Sequence, residues 1–250
     1  MNNYQEQFQH LFTIDGLISL LTLTVLEIVL GIDNIIFVSI VASKLEDKKE
    51  QRTARFTGLL MAMFIRIGLL FAIGWILTLD QPLFTVFGNG FTGKDIILFG
   101  GGVFLLIKTV SEIHQRIEGE EEDEEEKRKK KKVKDALFAV IMQIVFIDII
   151  FSFDSILTAV GVVNNVIIMI AAVIVSMVLM MIASEKVSEF IERHPTMKML
   201  ALAFLLMIGV LLVAEAFHRE IPKQYVYCSM GFAFLVEFLN MRARKNAGKK

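Results

Sequence analysis

The chain has 250 residues, 55% hydrophobic and 21% charged, with a mean hydropathy of +0.61 and a formal net charge of −1. That balance is too apolar for an ordinary soluble domain, and the near-neutral charge gives no electrostatic basis for a nucleic-acid partner. The one cysteine, Cys228, excludes an internal disulfide, and the opening Met1-Asn2-Asn3-Tyr4-Gln5-Glu6 has no basic region, so no cleavable signal peptide is expected.

The apolar residues fall in blocks of about 20, the length that crosses a hydrocarbon layer of roughly 30 Å. Seven spans are expected, at 17–42, 58–79, 95–115, 136–161, 166–184, 197–216 and 224–240. Lys108 and Glu112 interrupt the third, and Glu237 lies near the end of the seventh, where water can reach it. Trp75 fits an interfacial belt, and His114 and His218 sit at span ends, where interfacial positions are expected rather than ligation. The 13 Met and 21 Phe read as packing or lipid-facing residues. The long connection at 116–135 carries an acidic block, Glu120 to Glu126, then a basic block, Lys127 to Lys132, and reads as a solvated loop. The whole is a single transmembrane domain, 1–250: repeat 1 at 17–115, the charged loop, repeat 2 at 136–216 and an extra helix at 224–240.

Lys and Arg placement sets the expected orientation. With seven crossings, the 42–57, 116–134 and 185–198 loops and the C-terminal tail fall on one side and hold 21 basic residues. The other side holds three: Lys94, Arg219 and Lys223. The positive-inside rule makes the richer side cytoplasmic, with the N-terminus outside and the C-terminus inside.

An internal repeat carries the chemistry. Span 1 contains Glu27-Ile28-Val29-Leu30-Gly31-Ile32-Asp33-Asn34, and span 4 contains Asp148-Ile149-Ile150-Phe151-Ser152-Phe153-Asp154-Ser155. Glu27 pairs with Asp148, Gly31 with Ser152, Asp33 with Asp154 and Asn34 with Ser155. Spans 3 and 6 echo each other through Glu112-Ile113-His114-Gln115 and Glu215-Ala216-Phe217-His218. An offset of three spans makes the halves cross in opposite directions, the arrangement of secondary transporters with midplane sites.

Carboxylates at bilayer depth cost about 2.5–3.5 kcal/mol each on insertion scales, so Glu27, Asp33, Asp148 and Asp154 need protons, a basic partner or a cation. Only Arg66 and Lys108 are basic residues within spans, and Arg66 is a supporting residue that either neutralises one carboxylate or sits near an interface. Lys108 has Glu112 one turn away for a local ion pair, and Glu215 is a second-rank acid. The candidate metal set is Glu27, Asp33, Asn34, Asp148, Asp154 and Ser155. Its oxygen donors suit Mn²⁺, Ca²⁺ or Mg²⁺ better than Zn²⁺ or Cu⁺. Six residues on a straight helix separate Glu27 and Asp33 by about 120°, whereas Glu27 and Asn34 nearly align. Unwinding near Gly31 and near Ser152 would bring both acids of each copy to one cavity.

These two motifs, and the tail from Ile221-Pro222-Lys223-Gln224-Tyr225 to Val236-Glu237-Phe238-Leu239-Asn240, resemble the TerC family of bacterial membrane proteins over nearly the whole chain. That resemblance implies a lysine-exporter-superfamily architecture of inverted three-helix repeats in the bacterial inner membrane. It also implies Mn²⁺ efflux or metal supply to exported proteins, with Ca²⁺ or another divalent cation as the alternative substrate and protons as the candidate counter-ion. No enzyme activity is expected. Two other classes remain open: an intramembrane aspartyl protease, which lacks a Gly-x-Gly-Asp sequence here, and a non-transporting membrane partner or assembly factor.

Overall fold

A computed structural model describes residues 2–72, 82–86, 89–118, 133–163, 165–219 and 221–247. Trp75, the distal end of the second expected span and the charged block at 119–132 lie outside the described residues. The rest is nearly all helix: α1 (Asn2–Leu11), α2 (Ile14–Leu30), α3 (Ile32–Ala42), α4 (Lys48–Phe71), α5 (Gly93–Glu118), α6 (Val133–Val162), α7 (Val166–Arg193), α8 (Pro195–Ala216) and α9 (Lys223–Ala247). Two elements were not expected, the helix α1 ahead of the first span and a β-hairpin. Two short strands, β1 (Pro82–Val86) and β2 (Asn89–Thr92), form an antiparallel hairpin before α5. Val86 pairs with Asn89 and Thr85 with Gly90 across the hairpin.

Helix ends follow local chemistry. Thr13 caps α2 by accepting the Gly16 N–H at 3.1 Å, and Asp47 caps α4 by accepting the Lys49 N–H at 2.9 Å. Asn165 Oδ1 takes the Ile167 and Ile168 N–H groups at the start of α7. Pro195 occupies the first position of α8, where a missing N–H costs nothing.

Among the described residues, α4, α5, α6, α7 and α8 are long and apolar enough to cross a membrane, and the α2–α3 pair counts as one more span if it is a single broken crossing. The expected seventh span forms as the helix α9, but its composition falls short of theirs. Apolar side chains such as Phe64, Phe71, Ile182 and Phe232 stand exposed on the helices, which suits a hydrocarbon solvent.

The helices fall into two compact units that do not follow chain order. The first contains the α1–α4 region and the hairpin with α6 and all but the last turn of α7. Within it α4 buries a stripe of Gln51, Arg55, Leu59, Ala62, Arg66 and Leu70, at helical spacing. Gly58 lets α4 approach α6 closely: a Cβ there would lie 2.8 Å from Ile144 Cγ2. At the α4 entrance Arg55 Nη1 donates to Ser188 Oγ at 3.1 Å.

The second unit joins α5, α8 and α9. Gly102 and Gly209 make the α5–α8 contact. A Cβ on Gly102 would lie 2.9 Å from the Gly209 carbonyl, and one on Gly209 would lie 3.0 Å from Leu106 Cδ2. Small residues at such crossings permit close backbone approach inside a bilayer. Helix α9 packs on α8 through Phe204, Val226 and Met230. Gly102→Leu is therefore expected to destabilise by about 1–3 kcal/mol, because the stiff Val213 side chain and the Gly209 and Val213 backbone block the new atoms. Gly68→Ala, with open space around its Cβ, is expected to be neutral or slightly stabilising. Thermal unfolding of the two variants in detergent checks the contrast.

Candidate functional site

The first unit buries a charged cluster. Arg66 on α4 is 1% exposed, Glu27 on α2 2%, and Asp148 and Ser152 on α6 5% and 0%. Ionised groups this deep need compensation, and each finds it. Arg66 Nη1 lies 2.5 Å from Glu27 Oε2, and Arg66 Nη2 lies 3.0 Å from Asp148 Oδ1. Arg66 Nε donates to Ser152 Oγ at 3.0 Å, and that hydroxyl donates to Asp148 Oδ2 at 2.9 Å. One guanidinium thus uses all three nitrogens on two helices. The two carboxylates it joins, Glu27 and Asp148, occupy equivalent positions in the sequence repeat.

The two acids are held unequally. Asp148 accepts from Arg66 and Ser152 and takes a long bond from Asn34 Nδ2 at 3.4 Å. Among the described residues Glu27 is bonded through Oε2 to Arg66. Asn34 follows the α2–α3 junction, so both halves of the broken helix reach Asp148: α2 through Arg66, α3 directly. Ser155 is buried, and its hydroxyl donates to the Ser152 carbonyl of its own helix at 3.2 Å.

The expected unwinding occurs in one copy only. At Gly31 the helix breaks, and Ile14–Leu30 meets Asn34–Ala42 at 43°. Gly31 leaves room that Met180 Sδ and the Glu27 carbonyl fill: a Cβ there would lie 2.6 Å from the sulfur and 2.9 Å from the oxygen. At Ser152 the expectation fails, because α6 runs unbroken from Val133 to Val162. Its hydroxyl is tied to Asp148 and Arg66, and helical backbone keeps Ser152 one turn from Asp148. Positions 148 and 154 are therefore separated by about 9 Å of rise and about 120° of rotation. The side chains of Asp33 and Asp154 lie outside the described residues. Among the residues described, no group of three or more His, Cys, Asp or Glu could hold a metal ion.

The supporting residues expected elsewhere lie in the second unit. Glu112 lies 3.9 Å from Arg116 Nε, and Lys108 sets its ammonium 6.0 Å from the Phe104 ring centroid, so the expected Lys108–Glu112 pair gives way to other partners. At i,i+4 an acid N-terminal to its base pairs better than the reverse order, which favours Glu112 with Arg116 over Lys108 with Glu112. Glu215 is 3.6 Å from Lys94. His218 adopts φ 56° and places Nε2 3.1 Å from Asp95 Oδ2. His114 is exposed beside Glu118 at 3.1 Å.

In the sequence Arg66 stands as a supporting residue behind the acids, and Ser152 and Asp95 are not among the candidate ligands. A signal for Arg66 was present: a basic residue inside a span must face a partner. Nothing in the pattern singled out Ser152 as a donor, because its role depends on Arg66 arriving from another helix.

The family model described as "Integral membrane protein TerC family" matches residues 12–250. The chain belongs to the TerC family. Among similar proteins, the UPF0053 inner membrane protein YgdQ of Escherichia coli strain K12 is 47% identical over 226 residues, covering 90% of this chain and 92% of that protein. A UPF0053 protein of Haemophilus influenzae is 44% identical over 228 residues, covering 91% and 94%. The inner membrane protein YoaE of Escherichia coli strain K12 is 46% identical over 227 residues, but this chain spans only 43% of its length. No solved structure matches the chain. Family, relatives and apolar helices agree on a multi-pass protein of the bacterial inner membrane.

Proposed function

We propose that this TerC-family chain exports a divalent cation from the cytoplasm, with Mn²⁺ as the cargo. The observation that carries the reading is the buried meeting of Glu27 and Asp148, one acid from each copy of the repeat, beside a helix break. In this reading the cation is bound by oxygen donors from Glu27, Asp33, Asn34, Asp148, Asp154 and Ser155. Such donors favour hard divalent ions. The break at Gly31 sits one turn from Glu27, as at the discontinuous helices of other transporters.

Helix packing supports the inverted repeat that alternating access would use. Helix α4 (span 2) packs on α6 (span 4) at Gly58 and Ile144, and α2 (span 1) meets α7 (span 5) at Gly31 and Met180. Those contacts are counterparts under a three-span offset. Spans 3 and 6, α5 and α8, pack on each other, as a symmetric pair would. Seven crossings with the N-terminus outside complete the reading, on the strength of the basic loops.

Uptake into inverted membrane vesicles tests it, with Mn²⁺, Ca²⁺, Mg²⁺, Zn²⁺ and Fe²⁺ compared. Wild-type vesicles are expected to accumulate Mn²⁺ above vesicles lacking the protein, and Asp154→Asn vesicles are not. Absence of uptake for every metal would end the transporter reading. Equal uptake by wild type and Asp154→Asn would end the site assignment.

A further inference from the structure

Arg66 holds the position that a cargo cation would compete for. Its guanidinium lies between two carboxylates from equivalent repeat positions, in a cluster sealed from water. A guanidinium and a divalent metal ion seek the same carboxylate oxygens, and two cations side by side in a poorly screened interior repel. The bonds are also graded. Asp148 is fixed by Ser152 and Asn34 as well as Arg66, whereas the described bond of Glu27 is to Arg66 alone. Glu27 lies one turn before the break at Gly31, near the end of a 17-residue helix that stops there instead of running on through the motif.

We propose that Arg66 is a tethered cation: it occupies the Glu27–Asp148 pair while no cargo is bound, and it yields Glu27 to the arriving divalent ion while staying on Asp148. When the ion leaves, Arg66 returns to Glu27, so the empty carrier never exposes an uncompensated acid pair to the bilayer interior, where it is costly. This assignment rests on the divalent-cation reading above. It gives Arg66 a role opposite in sign to that of a structural brace. A brace supports binding; a tethered competitor weakens it and speeds release.

The test is Mn²⁺ binding by calorimetry to the full chain in lipid nanodiscs, with vesicle transport measured alongside. Arg66→Gln is expected to bind Mn²⁺ about tenfold more tightly, in the range of couplings between mutually exclusive ligands, and to transport it more slowly. A folded Arg66→Gln protein with unchanged or weaker Mn²⁺ binding would overturn the proposal. If Arg66→Gln does not fold, Glu27→Gln is compared with Glu27→Gln/Arg66→Gln, whose cluster keeps the wild-type charge. The double variant is expected to bind Mn²⁺ more tightly than the single one, and equal or weaker binding overturns the proposal. Wild-type protein that neither binds nor carries Mn²⁺ or another divalent ion would overturn the transporter reading and this one with it. Binding by wild type without tightening in the variants overturns the tethered cation alone.

Discussion

Asp148→Ala is expected to destabilise the folded chain by about 3–5 kcal/mol, the usual cost of removing one partner from a buried ion pair. The variant strips Arg66 of a bond at 3.0 Å and leaves Ser152 and Asn34 without the carboxylate they share. Glu27→Gln is expected to cost less, about 1–3 kcal/mol, because it leaves Arg66 held by Asp148 and Ser152 and its amide oxygen can still accept from Nη1. Both acids are equally buried and sit at equivalent repeat positions, so sequence symmetry alone predicts equal losses. The asymmetric bonding predicts unequal ones. Thermal unfolding of the two variants in the same detergent decides it, and matching drops in melting temperature would refute the graded arrangement.

The second large effect concerns transport. Asp33→Asn and Asp154→Asn are each expected to reduce Mn²⁺ uptake into inverted vesicles at least about 100-fold, at or beyond the loss caused by removing a supporting ligand at a metal site. The reason is geometric. If one cation is shared between the two copies of the motif, the copies act in series and losing either stops transport. Two independent half-sites would each leave about half the rate, so roughly half-maximal uptake in the single variants would refute a shared site. Protein abundance measured in the same vesicles separates this from poor insertion, since an amide replaces the carboxylate with little change in volume.

Much of the architecture was legible in the sequence. Apolar blocks near the length of a bilayer crossing located the helices, and in lipid the backbone must satisfy itself within each segment. The pattern marked Gly31 as a weak point, correctly, because a residue without a Cβ tolerates the approach of Met180 Sδ and the Glu27 carbonyl. It marked Ser152 as a weak point by analogy, and there it failed: a hydroxyl that finds bonds to Asp148 and Arg66 has no reason to leave the helix. The Lys108–Glu112 pair was a local expectation, and Arg116 took Glu112 from one turn further along. The hairpin at Pro82–Thr92 is not legible from hydropathy, because strands of 5 and 4 residues are far shorter than a bilayer crossing.

By itself the sequence determined that the chain is a helical membrane protein with two copies of an acidic motif, since hydropathy and repetition are properties of neighbouring residues. Only the tertiary structure decided what the acids meet. Arg66 reaches Glu27 across 39 residues and Asp148 across 82, and no local period encodes a partner that distant. The tertiary structure also made the symmetric acids unequal. The Asp148 carboxylate gathers donors from three helices, while Glu27 sits at the end of a helix that stops at Gly31.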